Sequence, residues 1–141
     1  MPTLEEIRQR FAADRYACET TGVEILEARP GEAVCRLAVE ERHLNANGVP
    51  QGGAIFTLAD FAFAIAVNGH AQEITVSQQM GITFLAAAKG KVLTATARCL
   101  KAGRRTCLYQ VDVTDELGTF VAFATVHGFT VGKFEKRGPE G

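Results

Sequence analysis

The chain has no apolar run long enough to cross a membrane. The longest, residues 54–67, covers 14 positions and contains Thr57 and Asp60, whereas a spanning helix needs about 20 apolar residues. No secretory signal is expected: the opening MPTLEEIRQRF carries charges where such a signal needs an uncharged core. None of Cys18, Cys35, Cys99 and Cys107 forms a C-x-x-C pair. Without a secretory signal, the expectation is four reduced thiols in a cytoplasmic protein. Histidine is scarce, and His43, His70 and His127 lie far apart with no i,i+4 partner, so no metal site is expected. Charge of one sign is missing too. Fifteen basic and sixteen acidic residues leave a net charge of −1, so no field of the whole molecule draws it to nucleic acid or an anionic membrane. Repeats and low-complexity tracts are absent.

What is present is enough for one domain spanning residues 1–141. A chain of this length buries a core without disulfide or metal staples. Thr3 followed by Glu6 is a capping box, and Leu4, Ile7 and Phe11 share one helical face. This predicts a first helix over residues 3–16. Strands are predicted over 23–29 and 33–41, joined by a Pro30-Gly31 turn. Residues 42–53, RHLNANGVPQGG, have no period and read as an ordered loop. A second helix is predicted over 53–68, stopped at Asn68-Gly69. Strand patterns fill 74–86, 91–102, 105–115 and 119–131, separated by Gly90, Gly103 and Gly118. The last residues, 132–141, read as a charged, fraying tail. The fold class is α+β, with successive strands expected as an antiparallel meander wrapped around a central helix.

That second helix is apolar almost all round, so it must be covered on most sides. A single sheet covers one side, which implies a dimer. Asp60 is its only ionisable residue, and a lone buried carboxylate is costly unless something uses or pairs it. The helix head, Pro50-Gln51-Gly52-Gly53, offers backbone N–H groups with no internal acceptor at the positive end of the dipole. Such a terminus suits an anion or a developing oxyanion. Asp60 lies eight residues beyond Gly52, about 12 Å along the axis. If both groups act on one substrate atom, they come from different chains, and two antiparallel helices across a two-fold axis would bring them together.

The stretch Leu44-Asn45, GVPQGGAIFTLADFAFAIAVN at 48–68, Ile82-Thr83-Phe84-Leu85, Gly90 and YQVDV at 109–113 resembles the hotdog-fold thioesterases of the phenylacetate-pathway type. Their N-x-x-G-x-x-H-G-G-x-x-x-x-L-x-D core reads here Asn45, Gly48, Gln51, Gly52, Gly53, Leu58 and Asp60. The resemblance implies the hotdog fold, hydrolysis of acyl-CoA thioesters of medium-chain or aryl-acetyl type, and a homodimer assembling into a homotetramer. Coenzyme A enters as part of the substrate, and no separate cofactor is implied. Asp60 matches the carboxylate that acts as general base or nucleophile, and Gly52 the residue whose N–H polarises the thioester carbonyl. Asn45 matches an Asn that holds substrate or water, and Ser77 a Ser that orients the water. Two positions depart: Gln51 replaces the family's His, and can donate an N–H but carries no proton or charge, and Ala87 replaces a Pro. Beside these, Lys101, Arg104 and Arg105 flank the Gly103 turn and either bind the phosphates of coenzyme A or form a solvated hairpin tip. The alternative to an enzyme is a hotdog protein that binds acyl-CoA or an aromatic acid without turnover. Phe56, Phe61 and Phe63 are core candidates, of which one or two could line an acyl pocket. Thr57 either bonds Asp60 or bonds back to its own helix.

Overall fold

The capping box operates as predicted in the computed structural model, which describes residues 1–133. Thr3 Oγ1 accepts from the Glu6 N–H at 3.1 Å and Glu6 Oε1 accepts from the Thr3 N–H. Helix α1 (Leu4–Phe11) ends five residues earlier than the periodicity suggests. The reason is Asp14, whose Oδ1 accepts from the Ala17 N–H at 3.0 Å and starts a separate π-helical segment, Tyr16–Thr21. A short acidic side chain competes in this way with continuation of a helix.

Strands β1 (Val23–Arg29) and β2 (Glu32–Ala38) form a hairpin in antiparallel register from Val23↔Leu37 to Arg29↔Glu32. A 3-10 turn, Glu41–His43, follows, and then α2 (Gly52–Asn68). The remaining strands are β3 (Glu73–Phe84), β4 (Val92–Ala102), β5 (Thr106–Asp115) and β6 (Phe120–Lys133). Gly132 and Lys133 thus belong to β6, and the tail at 134–141 lies outside the described residues.

All pairs are antiparallel, but the order is β1-β2-β4-β5-β6-β3. The expected meander holds for β4-β5-β6 and fails for β3, which lies at the far edge beside β6. Hairpin patterning fixes neighbours that are consecutive in sequence. The chain between β2 and β3 runs through α2, and periodicity says nothing about which edge it reaches.

The sheet curls around α2. Cys35, Leu37, Leu93, Ala95, Ala97, Val111, Val113, Ala122, Ala124 and Val126 are fully buried beneath it. From the helix, Ile55, Leu58, Ala59, Phe61, Ala62, Phe63, Ile65 and Ala66 fill the core. Phe61 and Phe63 are therefore core residues, with Phe63 edge-on to Tyr109 at 5.3 Å. The helix remains open on one stripe: Gly53 and Phe56 are exposed, while Thr57, Asp60, Ala64 and Val67 are half-buried. Beside it β3 forms a sheet edge, with Val76 and Phe84 exposed.

Gly128 marks the tightest point of the core. A methyl group there would lie 2.6 Å from Cys107 Sγ, 2.8 Å from Thr75 Cγ2 and 3.2 Å from Phe63 Cζ. Gly128→Ala is expected to destabilise the fold by about 1–3 kcal/mol through overpacking, read as a lower urea midpoint.

Lys89 and Lys91 lie on a turn built around two carboxylates. Asp115 accepts from the N–H groups of Lys89, Gly90, Leu117 and Thr119, and Glu116 from those of Lys91 and Val92. Burial opposes charge on Asp115, but the bonds from Gly90, Thr119 and Lys89 outweigh it and hold the carboxyl well below its ordinary value of 3.8. A depressed carboxylate stabilises the fold above its unfolded pKa, and that contribution is lost as pH falls. Asp115→Ala is expected to lower Tm at pH 7, and the gap from wild type is expected to narrow progressively below about pH 4.

Candidate active site

The loop ahead of α2 is shaped by its own polar side chains. Asn45 Oδ1 accepts from the N–H groups of Asn47 at 2.9 Å and Val49 at 3.3 Å. The Gly48 N–H bonds the Asn45 carbonyl at 3.0 Å, and Gly48 takes φ +77°, a left-handed turn position that glycine occupies without strain. The Asn45 oxygen is thus used by the loop, while its amide nitrogen makes no hydrogen bond among the described residues.

Two residues without any local motif, His43 and Arg42, anchor this loop. His43 is buried: its Nδ1 accepts from the Glu40 N–H at 2.9 Å and its Nε2 donates to the Thr21 carbonyl at 2.6 Å. A carbonyl can only accept, so Nε2 carries the proton and the ring is neutral in this arrangement. The His43 carbonyl in turn accepts from the Gln51 N–H at 2.8 Å. Arg42 donates to the carbonyls of Glu19, Thr20 and Thr21, covering the free end of the π-helical segment. Both partners lie more than twenty residues away, beyond any local pattern.

Gln51 is the N-cap of α2, and its Oε1 accepts from the Gly53 N–H. The residue in the place of the family's His therefore closes one donor of the helix head. The Gly52 N–H has no acceptor among the described residues. Gly52 lines a cavity of about 420 Å³ together with Asn45, Pro50, Ile55, Phe84, Leu85 and Ala86 to Ala88. The Phe84 ring sits against Gly52, its Cζ only 3.1 Å from where a Cβ would be. An amide without an acceptor among the described residues, at the positive end of a 17-residue helix and beside a cavity free of charged side chains, is suited to a polarised carbonyl oxygen.

Asp60 lies farther along the open stripe of α2, outside that cavity. It makes no hydrogen bond or ion pair among the described residues. Burial raises its pKa above the ordinary 3.8, and the negative charge of Asp14 adds to the shift. Thr57 does not bond it. Thr57 Oγ1 donates to the Gly53 carbonyl at 2.9 Å, the back-bonding alternative.

Ser77 is exposed on β3 opposite Gly128. Directly opposed residues point to the same face, so Ser77 looks toward the helix side, as do Met80, Ile82 and Phe84 opposite buried Val126, Ala124 and Ala122. Lys101, Arg104 and Arg105 are exposed on the β4–β5 hairpin and form no ion pair among the described residues. That hairpin adjoins the Asn68 end of α2. The Arg105 carbonyl accepts from the Thr130 N–H, Thr130 bonds Thr75, and Thr75 bonds the Asn68 amide. Within one chain the basic residues and Gly52 therefore stand at opposite ends of a helix about 24 Å long. One protomer brings Gly52, Asn45 and Gln51 together and leaves Asp60, Ser77 and the hairpin cations apart from them. Among the described residues no cluster of three or more His, Cys, Asp or Glu is placed to hold a metal ion, and no helix is long and apolar enough to cross a membrane.

An antiparallel six-stranded sheet curled around one long helix is the hotdog architecture. Residues 47–122 match the family model described as "Thioesterase superfamily". A putative esterase of Archaeoglobus fulgidus is 36% identical over 122 residues, 86% of this chain and 79% of that protein. The acyl-coenzyme A thioesterase PaaI of Escherichia coli is 33% identical over 108 residues, 75% of this chain and 76% of the relative. A hypothetical thioesterase of Streptococcus pneumoniae solved with coenzyme A superposes with a TM-score of 0.76 at 30% identity, covering 89% of this chain and 99% of that one. This chain belongs to the thioesterase superfamily.

Proposed function

We propose that the protein hydrolyses acyl-CoA thioesters at sites shared between two protomers, with medium-chain or aryl-acetyl groups as the acyl class. The observation that carries this reading is the Gly52 N–H, which has no acceptor among the described residues, on a residue that lines a cavity free of charged side chains. The thioester carbonyl oxygen accepts from that N–H. The partner's Asp60 takes a proton from a water whose oxygen attacks the carbonyl carbon. The tetrahedral intermediate collapses with cleavage of the C–S bond, and the coenzyme A thiolate takes up a proton as the acid departs. A thioester carbonyl is electrophilic enough that this route needs neither metal nor cofactor. Asn45 supplies its amide donors near the carbonyl, Ser77 orients the water, and Lys101, Arg104 and Arg105 meet the phosphates of coenzyme A. The half-buried stripe of α2 and the open edge of β3 support a homodimer, with a homotetramer as the full assembly.

The shared site can be tested by mixing subunits. Asp60→Asn and Gly52→Pro homo-oligomers are each expected to be inactive. Unfolded together in equal amounts and refolded, they form mixed dimers with one intact pair each, and about one quarter of wild-type activity should return. If the two groups acted within one chain, mixed dimers would stay inactive. Binding of acyl-CoA without thiol release by wild type would instead favour the non-catalytic alternative.

A further inference from the structure

The cavity beside Gly52 is lined without a single charged side chain. Pro50, Ile55, Phe84, Leu85 and three consecutive alanines form most of its wall, and Asn45 is its polar side chain. The cationic hairpin lies at the other end of α2. Coenzyme A carries amides and phosphates, whereas an acyl chain is apolar, so the apolar side chains of the wall, Ile55, Phe84 and Leu85 the largest of them, match the acyl half of the substrate. Within it Phe84 is singular. It ends the edge strand β3, its Cζ stands 3.1 Å from the Cβ position of Gly52, and 52% of its surface is still exposed. A ring packed on the donor residue and half exposed in the single protomer has contact area to offer a ligand that reaches that donor.

We propose that Phe84 is a specificity-determining residue: its ring is the wall on which the first carbons of the acyl group lie while the thioester carbonyl accepts from the Gly52 N–H. This rests on the thioesterase reading above. Selectivity then follows from contact area. An acetyl group reaches the donor but covers little of the ring, whereas octanoyl or phenylacetyl groups cover much of it. Substrate discrimination by lost apolar contact runs to about tenfold or more.

The test compares acetyl-CoA, octanoyl-CoA and phenylacetyl-CoA with wild type, Phe84→Ala and Phe84→Leu. Phe84→Ala is expected to lower kcat/KM for the two larger substrates by about tenfold or more and for acetyl-CoA by less than about threefold, with Phe84→Leu between. Equal losses on all three substrates, or no loss, would overturn the proposal. If wild type cleaves none of them, the thioesterase reading fails and affinity decides the role of Phe84. A non-hydrolysable octanoyl thioether of coenzyme A should then bind Phe84→Ala about tenfold more weakly than wild type, with free coenzyme A unaffected. Unchanged thioether affinity would sink the assignment on that arm.

Discussion

Asp60→Asn should lower kcat by about 10²- to 10⁴-fold, the span attributable to a positioned general base, while leaving the fold intact or firmer. Asparagine preserves the shape and removes the charge. The carboxylate has no hydrogen-bond or ion-pair partner among the described residues, so its replacement breaks no contact within the chain. Burial, with the Asp14 charge behind it, raises its pKa in the folded state. A raised carboxylate favours folding below its unfolded pKa and loses that contribution as pH rises through the folded value. At pH 7 the ionised group therefore costs stability, and Asp60→Asn should raise Tm there. Below about pH 4 the carboxyl is protonated folded or unfolded, and the advantage should vanish. Wild-type kcat/KM should rise with pH along a limb lying above the usual aspartate range. A wild-type rate in the variant, with Tm measured alongside, would remove Asp60 from the mechanism.

Gly52→Pro should reduce kcat by about 10²- to 10³-fold, as removal of one oxyanion donor does. Proline is well suited to the first helical position, where its missing N–H costs no helix bond. Gln51 already holds φ −69° and ψ 140°, the extended conformation that a residue before proline prefers. The new ring would still press on Phe84, which stands 3.1 Å from the Cβ position. Gly52→Ala makes the same intrusion but keeps the N–H. Comparing the two separates the lost donor from crowding: proline should be inactive while alanine retains a substantial part of the rate. If both lose activity equally, steric pressure on Phe84 rather than the amide would account for the loss.

The two substitutions remove complementary halves of the proposed arrangement, and the two residues differ in how legible they are in the sequence. The head of α2 was readable because a helix start is a local event: Gln51, Gly52 and Gly53 precede an unbroken apolar run, and the orphan donors follow from helix geometry. Asp60 stood out because it is the one charge in that run. The loop anchors were not readable. His43 and Arg42 bond carbonyls twenty-one to twenty-three residues upstream, and no pattern of period two or 3.6 encodes such a partner. Phe84 read only as part of a strand motif, and its contact with Gly52 arises because β3 runs along the far edge of the sheet beside the helix.

From the sequence alone came the α+β class, the apolar central helix, its donor-rich head and its lone acid, since each is a matter of local spacing and of what burial tolerates. Tertiary structure decided the edge position of β3, the early end of α1, the core role of Phe61 and Phe63 and the exposure of Phe84. Those outcomes depend on which surfaces meet after the chain has folded back on itself, and hydrophobic periodicity records which face is buried but not what buries it.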